Sequence, residues 1–340
     1  MRNYRILIFA LLFISLTGCS LPGSGTPAVE PSATVSALPT ATALPAPTVT
    51  PTPQPQRVVL IAPADTAPWL VQNVQPVLSE LAASAGLMFD TVQNMNPEEI
   101  TPATKMVFIM GTPDYLPQLV AAGPQTQFAA ISPLEIQTVP NFNLIRLQPE
   151  RQAFIAGTVT ITVAGDWRAL GLLSTNEATS AITEDAFRNG AQYFCGICNS
   201  YYAPIVRFPI IRHTDSANYQ AVVDEAHKNI VYAIYVDPEI ATPDMLRALA
   251  SQQYILVGGD TPPDDVKSRW AATIRQDPST AVRTLWPSML VGQGGQVVPA
   301  SISVEDSNTQ FFSVGKQNLI QSVIEELDSG QVIPLTPALQ

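Results

Sequence analysis

From Val58 to Val257, short apolar runs alternate with segments of helical period, and this alternation leaves few architectures open. The runs are Val58–Ala62, Met106–Met110, Phe128–Ile131, Ala169–Leu173, Ile205–Ile211, Ile230–Val236 and Tyr254–Val257. Helical segments lie between them near 69–85, 114–122, 150–164, 183–194, 217–228 and 243–251. Strands that are apolar on both faces need cover on both sides, which helical crossovers supply in parallel sheets. The pattern predicts an α/β protein whose doubly wound parallel sheets are flanked by helices. Residues 57–340 are long enough for one large domain or two lobes.

The first 56 residues follow other rules. Arg2 and Arg5 precede the apolar run Ile6–Leu16, which Leu16-Thr17-Gly18-Cys19 closes. A charged start, a short apolar run and small residues before a cysteine read as a lipoprotein signal peptide over 1–18, with lipid carried on the Cys19 thiol. A membrane-spanning helix would need roughly 20 apolar residues. Ordinary secretion with a free Cys19 is the alternative. From Pro22 to Gln56 the chain has nine prolines and seven threonines, so 19–56 is expected to be a semi-rigid Pro/Thr-rich tether. Its reach lies between about 35 Å as a coil and about 100 Å extended. Cleavage before Cys19 would remove Arg2 and Arg5 and no acid, taking the formal charge from -11 to -13. So acidic a chain is a poor partner for nucleic acid or for an anionic bilayer. Membrane contact is therefore expected through the N-terminal lipid, in an extracytoplasmic setting.

Catalytic constellations are scarce. The chain has two histidines, His213 and His227, and neither a Gly-x-Ser-x-Gly elbow nor a phosphate-binding loop. No enzyme activity, cofactor or metal site is expected. Cys195-Gly196-Ile197-Cys198 could be redox active, but it follows a helix instead of opening one. Outside the cytoplasm the pair is expected to form a local disulfide. A zinc site lacks a second ligand pair at suitable spacing.

An ordered series of segments carries a resemblance. It begins with Val107-Phe108-Ile109-Met110-Gly111 and Gln127-Phe128-Ala129-Ala130-Ile131, then Asn143-Leu144-Ile145 leading into Glu150-Arg151-Gln152-Ala153-Phe154-Ile155-Ala156-Gly157. Ala186-Phe187-Arg188-Asn189-Gly190-Ala191, Gly258-Gly259-Asp260, Ala272–Asp277 and Ile324–Pro334 follow. In order and spacing, over about two-thirds of the chain, the sequence resembles the basic membrane protein family of solute-binding lipoproteins, with a type I periplasmic-binding-protein fold.

The resemblance implies two lobes joined by three crossing strands, a solute held between them, and an ABC permease as partner to a monomeric protein. Lobe 1 is expected to take about 57–164 and 273–293, and lobe 2 about 165–260 and 296–340. The helix near 149–165 would lie by the hinge, where Ala153, Ala156, Gly157 and Ala164 permit close packing. A nucleoside or another small sugar-containing solute is the ligand the family implies. A sensory or structural surface lipoprotein that kept the fold without transport is the competing reading.

Ligands of open α/β sheets sit beyond the carboxyl ends of strands, so residues just after strands are the candidates. Asp260 ends the run Tyr254–Gly259, where Gly258 and Gly259 would let backbone approach a ligand and the carboxylate could accept two sugar hydroxyls. The family also points to this position. Alternatively Asp260 is a turn residue before Thr261-Pro262-Pro263. Arg275 could donate to the ligand or pair with Asp260. Trp69 could stack on a base or sugar face or pack at the lobe edge. Asp114 in Thr112-Pro113-Asp114 reads first as a first-turn acid behind an N-cap and N1 proline, and second as a cleft residue. Ser132 and His213-Thr214-Asp215-Ser216 depart from the family, which commonly places an acid and an aromatic there.

Overall fold

The computed structural model describes residues 54–335. The expected signal peptide, Cys19 and all but the last three residues of the expected tether lie outside the described residues. Among the described residues, twelve strands form two sheets and eight α-helices pack around them.

The first sheet contains β1 (Arg57–Ile61), β2 (Met88–Val92), β3 (Thr104–Met110), β4 (Gln127–Ser132), β5 (Phe142–Arg146) and β11 (Val297–Pro299), in spatial order β11-β5-β4-β3-β1-β2. Every pairing in it is parallel. Alternate residues of the central strands face opposite layers, as the two-residue strand period requires. Val58, Leu60, Met106 and Phe108 pack under α1 (Pro68–Ser84) and α7 (Pro278–Leu290), whereas Val59, Ile61, Val107 and Ile109 pack under α2 (Leu116–Ala122). The Phe108 and Trp286 rings stack with centroids 6.3 Å apart.

The second sheet contains β6 (Ala169–Ser174), β7 (Ile210–Thr214), β8 (Ala233–Val236), β9 (Ile255–Gly258), β10 (Trp270–Asp277) and β12 (Ser301–Glu305), in order β12-β10-β9-β8-β6-β7. It is parallel except for β12, which runs antiparallel to β10 at the edge. Around it lie α3 (Pro149–Val163), α4 (Ser180–Cys195), α5 (Gln220–Lys228), α6 (Pro243–Ser251) and α8 (Val314–Asp328). The apolar run Ile205–Ile211 yields a strand only from Ile210. Pro204 and Pro209 cannot donate to a ladder, and 199–209 forms a loop instead.

Three expected boundaries between the lobes are corrected. The helix assigned to lobe 1 by the limit at 164 belongs to the second lobe, because α3 is buried along Gln152–Val163 against α4 and the second sheet. The segment 273–277, expected back in lobe 1, is the end of β10 and pairs with β12. Residues 297–299, expected in lobe 2, pair with β5 of the first sheet. The first lobe is thus 57–146 with 278–299, and the second is 149–277 with 301–335.

The small residues of α3 serve its contact with α4. A Cβ on Gly157 would lie 2.1 Å from the Phe187 carbonyl oxygen, and one on Gly190 would lie 1.9 Å from that of Phe154. The Thr158 hydroxyl donates to Gly190 O at 2.9 Å, so backbone nearly meets backbone. Such overpacking cannot relax without separating the helices. Gly190→Ala is expected to destabilise the protein by about 2–3 kcal/mol, read as a lower urea midpoint at an unchanged slope.

Candidate functional site

The chain passes between the lobes at 146–149, 277–278 and 299–301. A proline stands at each passage. Pro149 and Pro278 open α3 and α7, where a missing N–H costs nothing, and each holds the residue before it out of helical conformation. Side chains then knit the passages together. The Gln148 backbone N–H donates to Gln276 Oε1, Gln276 Nε2 donates to Gln152 Oε1 at 2.8 Å, and Gln152 Nε2 donates to Ile274 O at 2.7 Å. Gln148 Nε2 reaches Ala300 O at 3.1 Å, and the Ala300 N–H donates to Arg146 O at 2.9 Å. All three glutamines are buried.

Above this hinge, at the carboxyl ends of both sheets, lies a cavity of about 160 Å³. The first lobe contributes Trp69, Leu70 and Pro133, and the second contributes Thr179, Thr183, Tyr235, Asp237 and Glu239. Gln152 and Gln276 line it from the hinge. A second cavity of about 560 Å³ on the first lobe, lined by Asp65, Asn94 and Tyr115 among others, shares Ala67, Leu70, Pro133 and Leu147 with it. The two are contiguous, and the larger falls within the roughly 300–1,000 Å³ of small-molecule sites.

Asp237 immediately follows β8 and is 8% exposed. Its Oδ1 accepts the Glu239 backbone N–H at 3.0 Å. Burial pushes its pKa up to about 6, and the Glu239 carboxylate adds to the rise, while backbone N–H groups and His213 oppose it. Beside it Tyr235 stacks on Phe187, with centroids 5.5 Å apart. His213, at the end of β7, places Nδ1 2.9 Å from Ser174 O and Nε2 2.8 Å from Glu184 Oε2. Burial disfavours its charged form, but the Ser174 carbonyl and Glu184 outweigh that and hold its pKa above the usual value.

The residues singled out in the sequence are dispersed. Trp69 lies in the interlobe cavity wall. Asp260 and Arg275 come together, but beyond that wall. Arg275 Nη2 lies 3.7 Å from Asp260 Oδ1, and its Nε lies 3.4 Å from Glu305 Oε2. Arg275 Nη2 also donates to the Thr261 hydroxyl, whose residue's N–H donates to Asp260 Oδ1 at 2.7 Å. The freedom expected of Gly258 and Gly259 is taken up by the protein itself. A Cβ on Gly258 would meet Trp270 at 2.3 Å, and one on Gly259 would meet Pro238 at 2.6 Å and the Gln152 amide at 2.9 Å.

Asp114 is exposed and precedes α2, which starts at Leu116 with Tyr115 as its N-cap, so the expected cap at Thr112 is three residues early. Cys195 and Cys198 are joined in a disulfide with Cα atoms 5.1 Å apart. Cys195 ends α4, and Thr183 of that helix lines the cavity, so the bond stands about 18 Å from it along the helix. His227 is exposed in the last turn of α5. Asp237 was within reach of sequence reasoning, since it directly follows the apolar run Ile230–Val236. Gln152 and Gln276 carry no charge and no motif that would single them out.

Among the described residues, no helix is long and apolar enough to cross a membrane, and no three His, Cys, Asp or Glu side chains group to hold a metal. The chain matches no protein-family profile and no curated protein sequence. Solved structures do share its fold. A transcriptional activator of the comK gene from Bacillus halodurans is similar with a TM-score of 0.64 and 13% identity, over 82% of this chain and 99% of that one. An ABC transporter solute-binding protein from Conexibacter woesei gives 0.61 and 13%, over 82% and 98%. One from Aeropyrum pernix gives 0.60 and 12%, over 84% and 94%. The chain therefore has the two-lobed, periplasmic-binding-protein-like α/β fold, with parallel-dominated sheets flanked by helices.

The raised pKa of Asp237 makes stability depend on pH with a definite sign. Below about pH 4 the group is protonated in both folded and unfolded chains. Between about pH 4 and 6 the folded chain keeps a proton that the unfolded chain has released, so stability falls as pH rises. The loss, roughly 3 kcal/mol, is complete above the folded pKa. In Asp237→Asn, urea unfolding at successive pH values is expected to show a stability difference from wild type that grows in the variant's favour from pH 4 to 6.5, then levels off.

Proposed function

We propose that the protein is the extracytoplasmic solute-binding subunit of an ABC-type importer, tethered by lipid at Cys19. It would take a nucleoside or another small sugar-containing solute between its lobes. The cavity walled by Trp69 from one lobe and Asp237 from the other, over a hinge of three passages, carries this proposal. An aromatic face and a carboxylate suit a ring with hydroxyl groups, the ring giving apolar contact and the acid accepting hydrogen bonds. Closing the lobes on such a solute would bring both walls onto it and present a distinct shape to a permease. The ordered segments that resemble the basic membrane protein family support the same assignment, as do the Conexibacter and Aeropyrum proteins of like fold. On this view the protein is a monomer, and the Pro/Thr-rich tether lets the lobes stand clear of the membrane.

A second reading, a sensory or structural lipoprotein without transport, draws on Arg275. Its side chain is engaged by Asp260, Thr261 and Glu305, so that edge of the second lobe offers a solute little.

Thermal unfolding against a panel of nucleosides and monosaccharides separates the two. Solute at 100 times its Kd should stabilise the fold by about 2.7 kcal/mol, a rise in Tm of about 5 °C. The rise is expected to vanish in Trp69→Ala and to persist in Asp260→Ala. Silence across the panel, with no lobe closure by small-angle X-ray scattering, would favour the second reading.

A further inference from the structure

The charge of the two contiguous cavities is one-sided. Three ionisable acids line them, Asp65, Asp237 and Glu239, and no lysine, arginine or histidine does. Among the described residues none of the three is ion-paired. Glu239 has only the Asn176 amide, 3.3 Å from each oxygen, and Asp237 accepts a backbone N–H. His213, whose charge acts on Asp237, gives its ring nitrogens to Ser174 and Glu184.

Several donors beside the acids are already engaged. The amide nitrogens of Gln152 and Gln276 are engaged by Ile274 O and Gln152 Oε1, and the Thr183 hydroxyl donates to Ser180 O. Ionised carboxylates only accept. A neutral sugar hydroxyl both donates and accepts, but it carries no charge to answer the carboxylates. An ammonium group has three donors and no acceptor, and it also suits the face of an indole ring.

We propose that the solute carries a protonated amine, held between the Asp237 and Glu239 carboxylates of one lobe and the Trp69 ring of the other. This rests on the solute-binding reading above and narrows it to amino-bearing sugars or nucleosides. Because the two carboxylates and the ring belong to different lobes, the cation would be completed as a site by closure. Burial raises the Asp237 pKa, and an ammonium beside the carboxylate would lower it again.

The test is calorimetric titration of the purified protein at pH 7.5 with matched pairs: D-glucosamine and D-glucose, D-galactosamine and D-galactose, 5′-amino-5′-deoxyadenosine and adenosine. The amine of at least one pair is expected to bind tenfold or more tighter than its neutral partner. Asp237→Asn should cut that preference to threefold or less, and Glu239→Gln offers the same comparison should the first variant fold poorly. Neutral members that bind as tightly as their amines would overturn this proposal and leave the solute-binding reading standing. A preference that survives both variants would overturn it as well. If no member of any pair binds, the proposal falls together with the assignment to sugar-containing solutes.

Discussion

Everything at the cleft depends on how three passages of chain are held side by side. Gln148, Gln152 and Gln276 are buried, and each unsatisfied amide there would cost about 1–3 kcal/mol. They avoid that cost by bonding to one another and to the carbonyls of Ile274 and Ala300. An amide offers donor and acceptor at one end, so a few glutamines form a relay that a row of carboxylates or guanidiniums could not. The relay fixes the register in which β5, β10 and β11 leave their sheets. It thereby sets which residues of the two lobes face each other, Trp69 against Asp237 and not against Asp260.

The lobes themselves are rigid for different reasons. In the second, α3 and α4 meet so closely at Gly157 and Gly190 that neither helix can take a methyl group there. In the first, α1 and α7 are distant in sequence but share one face of the sheet, and Arg283 of α7 pairs with Glu80 of α1 at 2.7 Å. That exposed pair contributes little by itself; the apolar residues beneath it do the joining. Two stiff bodies linked by hydrogen-bonded passages are the arrangement in which hinge closure is the soft motion.

The sequence made the layers legible and the crossings illegible, for one physical reason. Doubly buried strands such as β3 and β6 announce themselves through the apolar runs Met106–Met110 and Ala169–Leu173, and α6 is found at its true limits because Pro243 and the capping Thr242 mark its start. Edge strands carry weaker signals. β2 is half exposed, and β11 and β12 are short, with one residue, Ala300, between their ends. Which sheet β10 or β11 joins is decided by pairing partners far away in sequence, and local periodicity holds no record of that. At the site, Trp69 could be read from its place after the first strand, whereas the hinge glutamines look like ordinary polar residues until the fold brings 148, 152 and 276 together.

Two aspartates after neighbouring strands show why pattern alone ranks such residues poorly. Asp260 follows β9, is about half exposed, and has Arg275 at 3.7 Å, so its charge is inexpensive and locally answered. Asp237 follows β8, is buried, and has no cation among its hydrogen-bond partners, so its charge destabilises the folded chain at neutral pH. An asparagine would fill the same space and still accept the Glu239 N–H. The costly acid stands where the walls of the two lobes meet, beside a second carboxylate and opposite an indole. A perturbed carboxyl in a cleft is the kind of group whose energetic deficit a ligand can remove. On the solute-binding reading proposed above, Asp237 would face the solute, whereas the sequence singled out Asp260.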